Sequence, residues 1–338
     1  GGNIVREEQQ VQFIREEMGR LSLDVEDEGE FIRSILSEIS MVKGEMIPLE
    51  HYYAKNCSEE IFKQLYENYQ QEMGRRGLLD FDDMLVMCYR LFRERKDILS
   101  AWQRKYQYIL IDEFQDINRI QYEVVKMMAL PGNNLFIVGD DDQSIYRFRG
   151  ARPELMLGFP KDYPQCGRVL LDVNYRSTPQ IVEAAGRLIA HNKTRFAKEI
   201  RAVRRPGRPV ITRVFQDGAM EAEAICRELR DYAKAGVKWE QMAVLFRTNL
   251  GPRLLVEKLM EYNIPFCLRD ELPNLFDHWI ARNILDYILA ARGHMERARI
   301  LSIINRPKRY ISRDALEGEM INWEQVKSFY QDKGWMVE

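Results

Sequence analysis

The segment Tyr108-Ile109-Leu110-Ile111-Asp112-Glu113-Phe114-Gln115-Asp116 constrains this chain more than any other. Its apolar run, Tyr108 to Ile111, stops abruptly at two adjacent carboxylates, Asp112 and Glu113. Such a run predicts a buried parallel strand, with the acids delivered to the carboxyl edge of a sheet, where α/β proteins place their ligands. A strand running into an acidic turn would read the same way. Two further runs narrow the choice. Leu135 to Val138 leads into Gly139-Asp140-Asp141-Asp142-Gln143-Ser144-Ile145-Tyr146-Arg147-Phe148-Arg149-Gly150, and Val169 to Leu171 precedes Asn174-Tyr175-Arg176-Ser177-Thr178-Pro179. Short apolar runs alternating with helical stretches are the α/β pattern.

The rest of the chain is dominated by helical periodicity. Val11, Ile14, Met18 and Leu21 recur at three- and four-residue steps, as do Phe31, Ile35, Ile39 and Val42, and then Ile61, Leu65, Tyr69 and Met73. A further amphipathic stretch runs from Asp82 to Phe92, and Asp82 and Asp83 are expected to cap or brace helices. Beyond Pro179 the pattern predicts a helix to about His191, an exposed Arg/Pro/Gly-rich loop over 201–209, and a strand from Val210 to Val214. A helix from Ala219 to Ala235 capped by Asp217 and a strand from Met242 to Phe246 complete a βαβ succession. Helices dominate again from Arg253.

With 338 residues, 46% of them hydrophobic, the chain has room for two domains with sizeable cores. Net charge is only −2, but it is unevenly spread. Residues 1–60 are strongly acidic and residues 147–208 strongly basic, as a groove tracking a nucleic-acid strand would require, although a solvated charged face would read alike. Cys57, Cys88, Cys166, Cys226 and Cys267 lie far apart without C-x-x-C spacing, which suits reduced thiols in the cytoplasm and no zinc site. No apolar run approaches membrane-spanning length, so no membrane partner is expected.

The three segments carrying Asp112-Glu113, Asp140–Gly150 and Asn174–Pro179 resemble motifs II, III and IV of the superfamily I DNA helicases of the UvrD/PcrA/Rep group, in that family's order. Leu79-Asp80-Phe81-Asp82-Asp83-Met84-Leu85, Ala243–Asn249 and Ile303–Ile311 are similar to further blocks, so the resemblance runs from about residue 10 to about residue 315. It implies an α/β fold of partial RecA-like (P-loop NTPase) lobes with helical inserted subdomains. Residues 1–104 would be the helical insertion of the first lobe and 105–172 part of that lobe. Residues 173–252 would be part of the second lobe, and 253–338 the start of its helical insertion.

The resemblance also implies ATP and Mg²⁺. Asp112 would hold the metal and Glu113 would act as base toward water. Gln143 would contact the γ-phosphate, since an amide both donates and accepts. Tyr175 would stack on adenine, and Arg176 would bring a fork of donors to the γ-phosphate. Tyr146, Phe148 and Arg149 would contact DNA, stacking contributing about 1–3 kcal/mol per base. The family usually has Trp where Phe148 stands, and a smaller ring stacks less strongly.

These 338 residues contain no Gly-Lys dipeptide, and with it no G-x-x-x-x-G-K-[ST] phosphate loop. The family's late motifs, one of which supplies a further arginine, are absent as well. The expectation is an internal portion of an ATP-dependent 3′–5′ DNA helicase, acting on single-stranded and duplex DNA, that holds nucleotide very weakly and is inactive by itself. The alternative is a truncated, non-hydrolysing module that binds single-stranded nucleic acid or regulates. Apolar sheet surface left uncovered would make the chain marginally stable or self-associating.

Overall fold

The computed structural model describes residues 3–331 apart from 24, 26, 148, 149, 270, 271, 273, 275 and 277. Phe148 and Arg149 therefore lie outside the described residues. The chain packs as two units, Gly1–Ile211 and Thr212–Glu338. Residues 173–211 belong with the unit that carries the two acids, so this division falls later in the chain than the lobe change expected near 172–174.

The first unit opens with β1 (Asn3–Ile4) and three helices, α1 (Glu7–Arg20), α2 (Glu28–Glu45) and α3 (Glu59–Arg76). Their apolar stripes meet in one core of Phe13, Ile14, Met18, Ile32, Ile35, Ile39, Val42, Phe62, Leu65, Tyr69 and Met73. The helical spacing is as the sequence predicts, but each stripe takes in a residue one or two positions away from its expected start. Phe13, Ile32 and Phe62 are fully buried, whereas Val11, Phe31 and Ile61 sit at the margin. After β2 (Leu78–Leu79), which pairs parallel with β1, come α4 (Phe81–Glu94) and α5 (Lys96–Lys105). Asp80 caps α4, its carboxylate accepting from the Asp83 amide at 2.7 Å while Asp83 accepts from the Asp80 amide at 3.2 Å. Buried Lys43, on α2, reaches Asp80 at 2.5 Å and Asp83 at 2.7 Å. The aspartates of this block brace helices, as expected.

The α/β part follows. β3 (Ile109–Ile111) leads through a short 3-10 turn and α6 (Arg119–Ala129) to β4 (Leu135–Ile137). The two strands pair parallel, with Ile109, Leu110 and Ile111 opposite Leu135, Phe136 and Ile137. One face of this ribbon packs on Phe114, Tyr122 and Phe159 through Ile111, Leu135 and Ile137. The other face is open, with Leu110 72% and Phe136 61% exposed. Next come α7 (Pro153–Asp162) and β5 (Val173–Asn174), then α8 (Pro179–Ile189) and β6 (Arg201–Ala202), which pairs parallel with β5.

The second unit contains α9 (Gly218–Lys234), α10 (Arg253–Glu261), α11 (Trp279–Ala291), α12 (Arg297–Ile303) and α13 (Trp323–Tyr330). Asp217 caps α9 as expected, accepting from the Met220 amide at 2.8 Å. Ala222 and Cys226 of α9 pack against Leu255 and Leu259 of α10. A second core gathers Ile300, Ile303, Leu316, Val326 and Tyr330 around α12 and α13.

Three expected strands are not strands. Residues 169–171, 210–214 and 242–246 run without sheet pairing, and Val169, Leu171, Val214 and Leu245 project into solvent. A strand satisfies its backbone only through neighbours, and among the described residues none lies alongside these segments. The fold is therefore mixed, mostly helical, with three two-stranded parallel ribbons in the described residues. No helix of the described residues is long and apolar enough to cross a membrane.

Candidate active site

β3 stops at Ile111, and the chain turns sharply because Glu113 adopts a left-handed backbone, φ 50° and ψ 41°. For a non-glycine residue this costs about 1–2 kcal/mol. What holds it is the next residue. Phe114 is fully buried and meets Tyr122 and Phe159 edge-on, at ring separations of 5.6 and 5.7 Å. Anchoring Phe114 inward leaves Asp112 and Glu113 exposed at the strand end. The backbone ladder also continues past the strands, with the Val138 amide donating to Ile111 and the Phe114 amide donating to Val138.

The loop after β4 lands beside the acids. Gln115, 1% exposed, links the two. Its Nε2 donates to Glu113 Oε2 at 2.8 Å, and its Oε1 accepts from the Asp140 amide at 2.9 Å. Gly139 makes this approach possible. A Cβ there would stand 2.6 Å from Gln115 Oε1, closer than real side chains come, and a tight 3.1 Å from the Phe114 nitrogen. Residues Asp141–Gln143 then form a 3-10 turn capped by Asp140. Gln143 is exposed, and its Nε2 donates to Asp140 Oδ2 at 2.8 Å. Glu113, Gln115, Asp140 and Gln143 are thus one hydrogen-bonded series across the ends of two adjacent parallel strands.

The three aspartates of this turn are neutralised from a distance in sequence. Lys198 contacts all three, reaching Asp141 at 2.7 Å and Asp142 at 3.0 Å. Arg195 grips Asp142 with Nε at 2.7 Å and Nη2 at 2.5 Å. Burial alone would raise the carboxyls of Asp140 and Asp142. The hydrogen bonds and charge of Lys198, with Gln143 on one and Arg195 on the other, outweigh it and hold both below the usual carboxylate range. Lys198 behaves conversely, burial pulling it down and its three partners raising it above the ordinary lysine range. Asp116 goes the other way, its carboxyl raised by burial first and then by the charge of Glu113.

Tyr175 and Arg176 follow β5 in a turn organised by Asn174, whose Oδ1 accepts from the amides of Arg176 at 3.0 Å and Ser177 at 2.8 Å. Both side chains are exposed. The Arg/Pro/Gly-rich loop folds back on them: Arg204 donates to the Arg176 carbonyl at 2.8 Å, and the Gly207 amide donates to Gln180 at 2.9 Å. Tyr146 is partly exposed just past the Gln143 turn, and Arg147 pairs with Glu154. Arg247 is exposed, on a segment that forms no strand.

Gln115, Arg195 and Lys198 went unnoticed in the sequence. An amide between two acids was the available signal for Gln115. For the two cations the signal was the need of three consecutive aspartates for counter-charge, which nothing local supplies. Among the described residues no group of three or more His, Cys, Asp and Glu side chains is arranged to hold a metal. A lone exposed carboxylate such as Asp112 still suits Mg²⁺, which takes oxygen donors and retains much of its water. A separate cavity of about 700 Å³ lies in the second unit between α9, α10 and residues 242–246, and shares no residue with this site.

Comparison with known proteins gives the same answer from two directions. Residues 2–164 match the UvrD/REP helicase N-terminal domain and residues 169–328 the UvrD-like helicase C-terminal domain. The chain is 36% identical over 308 residues to YjcD of Bacillus subtilis (strain 168), which carries the name of an ATP-dependent DNA helicase. That alignment covers 91% of this chain and 40% of YjcD. It is 34% identical over 287 residues to the ATP-dependent DNA helicase PcrA of Staphylococcus epidermidis, covering 84% of this chain and 39% of PcrA. PcrA of Staphylococcus aureus is 33% identical over the same length. The chain spans about two fifths of the length of these curated relatives. With the N-terminal and C-terminal helicase domains matched in succession along the chain, and paired acids at a parallel strand end, the chain belongs to the UvrD/PcrA-type superfamily I DNA helicases.

Proposed function

We propose that this chain supplies the acidic wall and the phosphate-sensing turn of an ATP-driven motor that moves 3′ to 5′ on single-stranded DNA and unwinds duplex DNA. The observation that carries the reading is the series from Glu113 through Gln115 and Asp140 to Gln143 across the ends of β3 and β4. Such strand ends are where α/β folds hold nucleotides.

Asp112 would hold Mg²⁺ through its exposed carboxylate; a bound Mg²⁺ neutralises charge on the phosphates. Glu113 accepts the proton of the attacking water. Gln115 fixes the orientation of that carboxylate by holding Oε2, so that base and turn move together. Gln143 trades its bond to Asp140 for one to the γ-phosphate, and Arg176 spreads a planar fork of donors over the developing charge. Tyr175, exposed on its Asx-type turn, stacks on the adenine. Tyr146, with Phe148 and Arg149, forms the DNA track by stacking on bases and pairing with phosphates.

In this reading residues 1–104 are the helical insertion of a first RecA-like lobe and 105–172 part of that lobe. Residues 173–252 are part of the second lobe, and 253–338 begin its own helical insertion. The open face of β3 and β4 and the exposed apolar runs at 169–171, 210–214 and 242–246 suit lobes whose sheets take further strands. Without a phosphate loop in these residues, the chain by itself is inactive and holds ATP weakly, and its open sheet faces favour self-association in the cytoplasm.

The test is titration of labelled single-stranded DNA at several salt concentrations, with a Phe148→Ala, Arg149→Ala variant alongside. Salt-dependent binding that the variant loses supports the reading. Binding indifferent to the variant removes the track from this segment.

A further inference from the structure

Among the described residues of the first unit, Lys43 and Lys198 each meet more than one aspartate, and the two clusters differ in what the aspartates touch. Lys43 meets Asp80 and Asp83, whose other partners are helix-cap amides and Tyr69, so that cluster braces α4. Lys198, 8% exposed at its side chain, meets Asp140, Asp141 and Asp142, and here the partners include the candidate site itself. Asp140 Oδ2 holds the Gln143 amide, Asp140 Oδ1 caps the turn at the Asp142 amide, and the Asp140 nitrogen is tied to Gln115 and so to Glu113. Three carboxylates on one short turn repel one another strongly, and left alone they would splay it. The segment 195–198 prevents this with two cations and one backbone donor, the Phe196 amide giving a 2.8 Å bond to Asp141 Oδ2. It arrives from the far end of α8, the helix whose approach carries Tyr175 and Arg176.

We propose that Arg195 and Lys198 are positioning residues for Gln143: by neutralising the aspartate turn they set Asp140, which orients the Gln143 amide, and they tie that turn to the segment bearing Tyr175 and Arg176. The proposal rests on the reading of Gln143 as a phosphate contact, but its geometry does not depend on it. The cations act on Gln143 indirectly: Lys198 through Asp140 itself, and Arg195 through Asp142, whose amide donates to Asp140 Oδ1. Lys198 is the central post, since one ammonium group serves three carboxylates. Arg195 is the orienting clamp, since its fork fits the plane of a single carboxylate.

The experiment uses the whole chain without nucleotide or DNA, so a failure of the motor reading and a failure of this inference are separable. Hydrogen exchange is measured on the wild type, Arg195→Met, Lys198→Met and Lys198→Arg. In parallel, ¹⁵N-glutamine labelling follows the side-chain amide of Gln143, assigned by its loss in Gln143→Asn. The expected result for Arg195→Met and Lys198→Met is exchange at least tenfold faster at the amides of Asp140, Gln143 and Phe196. The Gln143 side-chain resonance moves to its solvent-exposed position, while α1 and α6 keep wild-type exchange. Lys198→Arg, which keeps the charge, restores the Gln143 resonance. A turn that loosens while the Gln143 resonance stays in place makes the cluster a brace and overturns the proposal, as does unchanged exchange. Should Lys198→Met fail to fold, Arg195→Met decides: no displacement of the Gln143 resonance in it overturns the proposal equally. A positive result here beside a failed DNA titration would leave the positioning intact and remove only the motor reading.

Discussion

The helical core of α1 to α3 and the strand segments of the same chain are equally apolar, yet they meet opposite fates. Ile14, Ile32, Ile35 and Leu65 are sealed, whereas Leu110, Phe136, Val169 and Leu171 face solvent. A helix satisfies its backbone within itself and needs a partner for only one stripe. A strand of a parallel sheet needs neighbours along both edges and cover on both faces. Three helices of 14 to 18 residues therefore complete a core on their own, while two three-residue strands cannot. The stable part of this unit is thus away from the candidate chemistry, which sits on the unfinished part.

That contrast can be broken most forcefully at Lys43. Replacing it with Met leaves Asp80 and Asp83 buried without their cation, and an expected loss of about 3–5 kcal/mol should appear as a large drop in the urea midpoint. Leu65→Ala opens the sealed core and should cost about 2–5 kcal/mol by the same measurement. Gly139→Ala forces a methyl group against Gln115 and the Phe114 backbone. About 1–3 kcal/mol of strain is expected, with hydrogen exchange rising at 113–115 and 139–144 while α1 to α3 are unaffected. Phe136→Ser, on the open face of β4, should change stability by less than about 0.5 kcal/mol and reduce any self-association seen by sedimentation. A loss comparable with Leu65→Ala would show that this face is covered after all.

A further effect concerns pH. Asp142 is depressed in the folded protein, so its pairing with Arg195 contributes above the unfolded carboxylate value near ~3.9 and is lost as pH falls through the lower folded value. Arg195 stays charged throughout. The gap in melting temperature between wild type and Arg195→Met, reflecting about 1 kcal/mol, should hold from pH 5 to 8 and close only once the pH falls below the ordinary carboxylate range.

Legibility followed the same physics. Helical periodicity placed α1, α2, α3, α4, α8 and α9 within a few residues, because a helix is a local structure whose caps, such as Asp217 and Asp80, are written beside it. The runs at 169–171, 210–214 and 242–246 have the composition of strands, but strand pairing is not local, and no partner lies beside them among the described residues. Ile280, Ile284 and Ile288 share one face of α11 at helical spacing, yet that face is exposed. The basic stretch 147–208 reads as a nucleic-acid groove, but much of its charge is engaged internally. Arg152 pairs with Glu45, Arg187 with Glu183, Arg195 and Lys198 with the aspartate turn, and Arg201 with Asp172.

What the sequence determined by itself was the order and type of the chemical groups: paired acids after an apolar run, three aspartates before a glutamine, a Tyr-Arg pair before a helix. These are nearest-neighbour facts, and they identify the family without coordinates. Tertiary structure alone decided which of those groups share hydrogen bonds. Gln115 joins Glu113 to Asp140 because β3 and β4 lie side by side in register, and Lys198 reaches an aspartate turn more than fifty residues upstream because α8 brings the chain back. Long-range contact is set by how elements pack, and packing depends on every face at once rather than on any stretch of residues.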